Sequence, residues 1–123
     1  MEKHILIIDD DRDELEIFRE ALQGIPAMYN CSYAQSPEEA LNLLADASPD
    51  YIFIDYNMPR TNGIECLIAI KKLEQLRDTP LIIYSNSISE ETRRNAYHLG
   101  AANCIVKPPT INILTAMLKD ILV

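Results

Sequence analysis

Four short apolar runs, each ending abruptly at a reactive polar residue, constrain the fold of this chain more than any other feature of its sequence. Runs of about four β-branched and aromatic residues, each followed by a helix-like stretch, are typical of parallel strands buried on both faces of a sheet. In open α/β sheets the ligand site lies outside the carboxyl ends of the strands. We therefore expect the polar groups to converge at one edge of one sheet, as an active site. The runs and their terminal residues are 5–8 with Asp9 and Asp10, 51–54 with Asp55, 81–84 with Ser85, and 104–106 with Lys107.

The size and charge of the chain narrow its class. A length of 123 residues predicts one domain spanning residues 1–123. The net charge of −8 argues against nucleic acid or an anionic membrane as a direct partner. No apolar stretch approaches the roughly 20 residues of a membrane helix, and no signal-peptide core follows the N-terminus. Three widely spaced cysteines, Cys31, Cys66 and Cys104, predict reduced thiols and a cytoplasmic location.

Helix-start signals separate the apolar runs and predict five β-α units. Ser36 before Pro37, Ser89 and Thr110 each fit the N-cap of a helix. Asp11 and Glu14 fit a capping box at the start of the first helix. A weaker strand is predicted over residues 28–34. Because right-handed crossovers place helices on both faces of a parallel sheet, the pattern predicts a doubly wound α/β domain.

The turn after the first strand indicates which ligand the site can hold. A nucleotide-binding fold would place glycines there, but the chain has three glycines in total and none in this turn. The turn carries Asp9, Asp10 and Asp11 instead, which would repel anions and attract a hard divalent cation such as Mg²⁺. Asp11 and Asp13 are explained by helix capping and the helix dipole. Capping does not explain why Asp55 ends a second apolar strand in the same way, so Asp9, Asp10 and Asp55 are predicted as a metal site.

The remaining polar groups predict phosphoryl transfer. Like charges packed at a sheet edge are costly unless cations offset them, and Lys107 and Mg²⁺ could do so. A carboxylate nucleophile beside a metal, a lysine and the Ser85 hydroxyl is a suitable set for transfer of a phosphoryl group to an aspartate. His4, at the start of a strand, and His98, on a helix, are not expected to be catalytic.

Four motifs of the chain are Ile7-Ile8-Asp9-Asp10-Asp11, residues 54–59 with Gly63, Tyr84-Ser85-Asn86 and Val106-Lys107-Pro108. Together they resemble the response-regulator receiver domain of two-component signalling, the CheY-like family, from about residue 3 to the end of the chain. The resemblance implies a flavodoxin-like sheet of five parallel strands in the order 2-1-3-4-5, flanked by five helices.

The resemblance also implies a role for each site residue. Asp55 corresponds to the phosphorylated residue. Asp10, Asp55 and the backbone carbonyl of Asn57 correspond to direct ligands of Mg²⁺, which Mn²⁺ could replace, and Asp9 acts through a metal-bound water. Ser85 and Lys107 correspond to the switch hydroxyl and the phosphate-contacting lysine. The bond between Lys107 and Pro108 is often cis in that family.

Three residues depart from the family pattern, Asn86, Cys104 and Pro109. The positions expected to modulate the site are Asn86, Cys104 and Pro108. Asn86 follows the switch hydroxyl where a small residue is favoured, which would narrow access to the phosphoryl group. Cys104 replaces the aromatic switch residue of the last strand, so the usual rotamer signal cannot operate there. Tyr84 or Tyr97 could substitute, or could serve as ordinary packing. Pro109 follows Pro108 and would stiffen the entry to the last helix.

The leading hypothesis is a stand-alone phospho-acceptor, fed by a sensor histidine kinase or a His phosphotransfer protein and not itself an enzyme beyond self-catalysed phosphotransfer and autodephosphorylation. Its output surface is expected on the fourth helix, fifth strand and fifth helix, read by another protein or by a second copy of the chain. The candidate residues there are Arg93, Arg94, His98 and Ile111.

Two alternatives remain open at this stage. A Mg²⁺-dependent phosphatase of the haloacid dehalogenase type would use the same aspartyl nucleophile, but it usually has a second catalytic Asp where this chain has Asn57, and it usually has a cap domain. A degenerate receiver that is never phosphorylated is favoured only by Asn86 and Cys104.

Overall fold

The computed structural model describes residues 2–122, in which strands and helices alternate as predicted. The main sheet has five strands in the order β2-β1-β3-β4-β5, and all four strand pairs are parallel. This confirms the predicted flavodoxin-like α/β fold. The strands are β1 (Lys3–Ile8), β2 (Tyr29–Ala34), β3 (Tyr51–Ile54), β4 (Leu81–Ser85) and β5 (Asn103–Val106). The helices are α1 (Asp13–Leu22), α2 (Pro37–Leu44), α3 (Gly63–Lys71), α4 (Glu90–His98) and α5 (Ile111–Ile121).

Two smaller elements complete the described part of the chain. The two-residue strands Asn57–Met58 and Thr61–Asn62 form an antiparallel ribbon between β3 and α3. A 3₁₀ turn covers Glu74–Leu76. Within residues 2–122, no helix combines the length and the apolar character that crossing a membrane requires.

Side-chain caps begin most of the helices. Ser36, Ser89 and Thr110 each accept a hydrogen bond from the backbone N–H three residues later, at 3.2, 3.0 and 3.2 Å, which confirms those three predictions. Asn62 does the same for α3 by accepting from the Glu65 N–H at 3.0 Å. The caps predicted from the sequence did not include Asn62.

The first helix begins differently from the prediction. Its N-cap residue, Arg12, makes no side-chain cap, and the Asp11 carboxylate accepts from the Asp13 N–H at 3.0 Å. The predicted capping box is wrong because the Glu14 carboxylate does not fold back toward Asp11. It is buried and lies beside the Lys107 ammonium.

Both faces of the sheet are covered by apolar side chains. On one face the rings of Phe18, Phe53 and Tyr84 meet edge to face, with centroids 4.9 to 6.2 Å apart, and α1 and α5 cover them. Tyr84 is therefore a core packing residue. The opposite face packs Leu6 and Ile54 against residues of α2, α3 and α4. Every residue of β3 and β4 is buried, which fits their central place in the sheet.

The start of α3 packs directly on the backbone that follows β3. The Gly63 N–H donates to the Tyr56 carbonyl at 2.9 Å. A Cβ at position 63 would lie 2.7 Å from the Asp55 carbonyl oxygen and 2.9 Å from the Tyr56 Cα. This approach admits only glycine, and it joins the helix closely to the end of the strand.

Candidate functional site

The carboxyl ends of β1 and β3 bring the three predicted metal-site carboxylates together. The Asp55 N–H donates to the Ile8 carbonyl at 2.9 Å, and the Asp9 N–H donates to the Ala34 carbonyl at 3.0 Å, so both residues continue the sheet. Asp9 and Asp55 are buried, whereas Asp10 is exposed. Carboxylate oxygens of Asp9, Asp10 and Asp55 all lie within 4.8 Å of one another.

This donor set fits a hard divalent cation. Mg²⁺ prefers oxygen ligands, uses few carboxylates and keeps several waters, which an exposed Asp10 permits. The Asn57 N–H donates to Asp55 Oδ1 at 3.3 Å, so the main chain of Asn57 lies beside the same carboxylate. Three carboxylates converging on one point also repel each other, and a cation would offset that repulsion.

Lys107 lies on the buried side of the same site. The end of β5 is held against β4 because the Lys107 N–H donates to the Ser85 carbonyl at 2.8 Å. The Lys107 Nζ lies 2.9 Å from Asp9 Oδ2, 3.4 Å from Glu14 Oε2 and 4.0 Å from Asp55 Oδ2. One ammonium, 9% exposed, therefore faces three buried carboxylates.

Burial shifts the pKa values of Asp9, Glu14 and Lys107. Burial raises the pKa of Asp9 to about 6, although hydrogen bonds from Lys107 and from the Asp11 N–H oppose the rise. Burial also raises the pKa of Glu14, against the attraction of Lys107. For Lys107, burial alone would lower the pKa, but the hydrogen bond to Asp9 and the charges of all three carboxylates outweigh it and raise the pKa. The lysine therefore keeps its charge.

The Ser85 hydroxyl is buried at the end of β4 and is linked to the loop after β3. Its Oγ accepts a hydrogen bond from Asn57 Nδ2 at 3.1 Å. A hydroxyl that accepts one hydrogen bond still has its own hydrogen to donate. Ser85 can therefore donate to an oxygen placed on Asp55 while Asn57 holds it in position.

Glu14 is a site residue that the sequence interpretation missed. It is 7% exposed, and its Oε1 has no hydrogen-bond partner among residues 2–122. Helical periodicity could have revealed it, because Glu14 lies four residues before Phe18 and seven before Ala21, both on the buried face of α1. The capping-box pattern gave an alternative explanation for the same carboxylate.

The positions expected to modulate the site are Asn86, Cys104 and Pro108. Asn86 is exposed directly after Ser85. Cys104 is buried, and its backbone is tied to α4: its N–H donates to the Tyr97 hydroxyl at 3.2 Å, and its carbonyl accepts from Arg93 Nη1 at 2.7 Å. No cis peptide bond occurs within residues 2–122, so the bond between Lys107 and Pro108 is trans here.

Comparison with known proteins identifies the same family as the motifs. A family model described as the response regulator receiver domain matches residues 5–119. The chain is similar to the chemotaxis protein CheY4 of Vibrio cholerae, with a TM-score of 0.85, 27% identity and 98% of each chain covered. It is equally close in fold to the phosphorylated cyanobacterial phytochrome response regulator RcpA, with a TM-score of 0.85, 28% identity, and 98% of this chain and 91% of that one covered.

Curated relatives include longer regulators. The chain is 33% identical to the phosphate regulon transcriptional regulatory protein PhoB of Pseudomonas aeruginosa over 98% of this chain and 52% of the relative. It is 36% identical to the transcriptional regulatory protein CpxR of Escherichia coli over 96% of this chain and 48% of the relative. The chain thus spans about half the length of these two relatives. Its sheet, its acidic site and the match over residues 5–119 lead to one conclusion: the chain belongs to the response regulator receiver domain family.

Proposed function

We propose that this chain, as a receiver domain over residues 1–123, accepts a phosphoryl group on Asp55 in the presence of Mg²⁺ or Mn²⁺. The donor is a sensor histidine kinase or a His phosphotransfer protein. The observation that carries the proposal is the surroundings of Asp55: its carboxylate lies within 4.8 Å of those of Asp9 and Asp10 and 4.0 Å from the Lys107 ammonium. Receiver domains are signalling phospho-acceptors, and Mg²⁺ binding is typical of the family.

The chain's own residues account for the chemistry. An Asp55 carboxylate oxygen attacks the phosphorus, the bond from phosphorus to the donor nitrogen breaks, and the electron pair leaves with the donor's imidazole. Lys107 neutralises one phosphoryl oxygen and Ser85 donates a hydrogen bond to another. Asp10, Asp55 and the Asn57 carbonyl would hold the divalent ion, with Asp9 acting through a water. The bound ion supplies positive charge against the phosphoryl oxygens.

The two alternatives are less well supported. A phosphatase would need a second carboxylic acid at position 57, but Asn57 has an amide, which cannot give a proton to a leaving group, and this amide is bonded to Ser85. The hypothesis of a receiver that is never phosphorylated does not explain why the carboxylates of Asp9, Asp10 and Asp55 meet Ser85 and Lys107 at one edge of the sheet. Autodephosphorylation by water is then the only hydrolysis that we propose.

We place the output surface on α4, β5 and α5, where a partner protein or a second copy of the chain would bind, with no direct contact to nucleic acid or membrane. Ser85 and Lys107 end the two strands that border this region, so drawing them toward a phosphoryl group would move its backbone. Of the predicted surface residues, Arg94 and His98 are exposed, whereas Arg93 is tied to the Cys104 carbonyl and Ile111 packs partly against the core. Exposed apolar residues on the same elements are Tyr97, Val106 and Ile113.

Phosphorylation is tested with acetyl phosphate. The parent protein should gain one acid-labile and base-labile phosphoryl group with Mg²⁺ and none after chelation. Asp55→Asn should gain none, whereas Asp46→Asn, which removes an exposed carboxylate in the turn after α2 and outside the Asp9, Asp10 and Asp55 group, should be labelled like the parent. Labelling that survives in Asp55→Asn would overturn the assignment.

The surface is tested by hydrogen exchange with and without beryllium fluoride, which mimics a phosphoryl group on an aspartate. The largest change is expected over residues 86–112. A largest change on α1 and β2 would lead us to abandon this surface.

A further inference from the structure

We propose that Glu14 is a positioning residue of this site. Its carboxylate holds the Lys107 ammonium in the unphosphorylated protein and competes for that ammonium with the phosphoryl group on Asp55. The inference rests on the proposed function, because it concerns the stability of the Asp55 phosphoryl group. Glu14 would thereby shorten the lifetime of the phosphorylated form.

Glu14 contacts the Lys107 ammonium directly. Glu14 comes from α1, one turn after the acidic loop, and its Oε2 lies 3.4 Å from Lys107 Nζ. Both side chains are 9% exposed, so little solvent screens this pair. In residues 2–122, the ion pairs without Lys107 are Glu16–Arg19 and Glu74–Arg77. Each joins two exposed side chains that are three residues apart.

Negative charge exceeds positive charge around Lys107. Asp9, Glu14 and Asp55 are buried around one cation. Asp9 and Asp55 also belong to the group of carboxylates that could hold the metal, whereas Glu14 does not. A divalent ion at that group would not directly neutralise Glu14. Lys107 is therefore the only cation within ion-pair distance of this carboxylate in the described part of the chain.

Phosphorylation of Asp55 would change this balance of charge. A phosphoryl group replaces the single negative charge of Asp55 with about two and draws Lys107 toward its oxygens. The ammonium would then move away from Glu14, whose Oε1 already has no hydrogen-bond partner in residues 2–122. An unpaired buried carboxylate is costly, so Glu14 favours the unphosphorylated arrangement.

The test compares Glu14→Gln with Glu16→Gln. Glu14→Gln removes the charge but keeps the shape of the side chain, and it should bind beryllium fluoride about tenfold more tightly and lose its phosphoryl group more slowly. Glu16→Gln makes the same charge change on the same helix, where the side chain is 74% exposed and pairs with Arg19, and it should behave like the parent. Equal values for Glu14→Gln and the parent, or weaker binding, would overturn the inference.

A double variant distinguishes positioning through Lys107 from a purely structural role. In a Lys107→Met background, the additional change Glu14→Gln should alter neither affinity nor lifetime, because the competing cation is gone. A gain that persists there would show that Glu14 acts by another route. Glu14→Met, which also removes the charge, replaces Glu14→Gln if thermal melts show that the latter is not folded.

The two proposals fail in different ways. If the parent protein is not labelled on Asp55 by acetyl phosphate, the proposed function is wrong. If the parent is labelled and Glu14→Gln decays at the same rate, only the role of Glu14 is wrong.

Discussion

Asp9 and Asp10 are adjacent and chemically identical, yet they belong to two different sides of the site. On the buried side, Asp9 is 1% exposed, accepts from the Lys107 ammonium and from the Asp11 N–H at 2.9 Å, and has its carbonyl bonded to the Tyr33 hydroxyl at 2.6 Å. On the open side, Asp10 is exposed and lines a groove with Gln35, Met58 and Arg60. Asp9 directly follows β1, and its N–H still bonds to β2, whereas Asp10 lies in the bend after the strand, so only Asp9 is enclosed by the sheet.

The site therefore has a buried side around Asp9, whose side chains already contact one another, and an open side around Asp10, which solvent reaches. The buried side holds Lys107 and its carboxylates in fixed contacts. The open side leaves the Asp10 carboxylate exposed at a groove, where the proposed function places the hydrated cation and the phosphoryl donor. Four changes in the protein or its conditions test this division.

The largest effect is expected on the buried side, from Lys107→Met. The change leaves Asp9, Glu14 and Asp55 buried without a cation, which should lower the free energy of unfolding by about 3 kcal/mol at pH 7 without divalent ions. Lys119→Met removes an exposed lysine of α5 and serves as the control. Urea unfolding measures both variants, and equal stabilities would show that the buried side is not held together by charge.

On the open side, Asp10→Ala should lose divalent-ion binding by at least about tenfold and leave the fold intact. Without metal the variant should be at least as stable as the parent, because one of three crowded carboxylates is removed. Mg²⁺ titration and thermal melts provide the two readouts. Marked destabilisation without metal would mean that Asp10 is structural and would weaken the division into two sides.

A smaller effect is expected from pH on the metal-free protein. Because burial raises the pKa of Asp9 to about 6 in the folded protein, above its usual value in an unfolded chain, folding is favoured where Asp9 is protonated. The contribution of Asp9 should therefore add about 1 kcal/mol to stability as the pH falls from 7 to 5, and it is lost as the pH rises through 6. Comparing the parent with Asp9→Asn isolates this contribution, since the variant should lack that part of the pH dependence. An identical pH dependence in the two proteins would contradict it.

The smallest effect concerns Asn86, which is exposed on the open side after Ser85. Its amide can crowd the approach of water and can donate a hydrogen bond to a phosphoryl oxygen. Asn86→Ala should therefore speed dephosphorylation by about threefold, the magnitude of one modest hydrogen bond. An unchanged or slower decay would leave Asn86 without the role that we propose.

The sequence predicted most of the strands because they are apolar runs, and it placed several candidate site residues because each directly follows such a run. Asp55, Ser85 and Lys107 needed only the rule that parallel strands end at a common edge. The sequence could not predict the bond from Asn57 to Ser85, since it depends on side-chain orientation between residues 28 positions apart. Glu14 was assigned to a cap because a local pattern and a tertiary ion pair use the same residue type. The Asn62 cap was missed because Asn62 is the last residue of a two-stranded ribbon, and local sequence patterns did not predict that ribbon.

The close approach of Gly63 to Asp55 gives α3 a further consequence. Since a methyl group at position 63 would meet the Asp55 carbonyl oxygen at 2.7 Å, Gly63→Ala would require either the helix or the peptide group of Asp55 to move. An adjustment of a few tenths of an ångström there is comparable to the tolerance within which reacting groups must be held. Gly63 has no side chain and no chemistry of its own, but it fixes the distance between the start of α3 and the Asp55 backbone. In an engineered receiver, this glycine would have to be kept together with the aspartate whose position it defines.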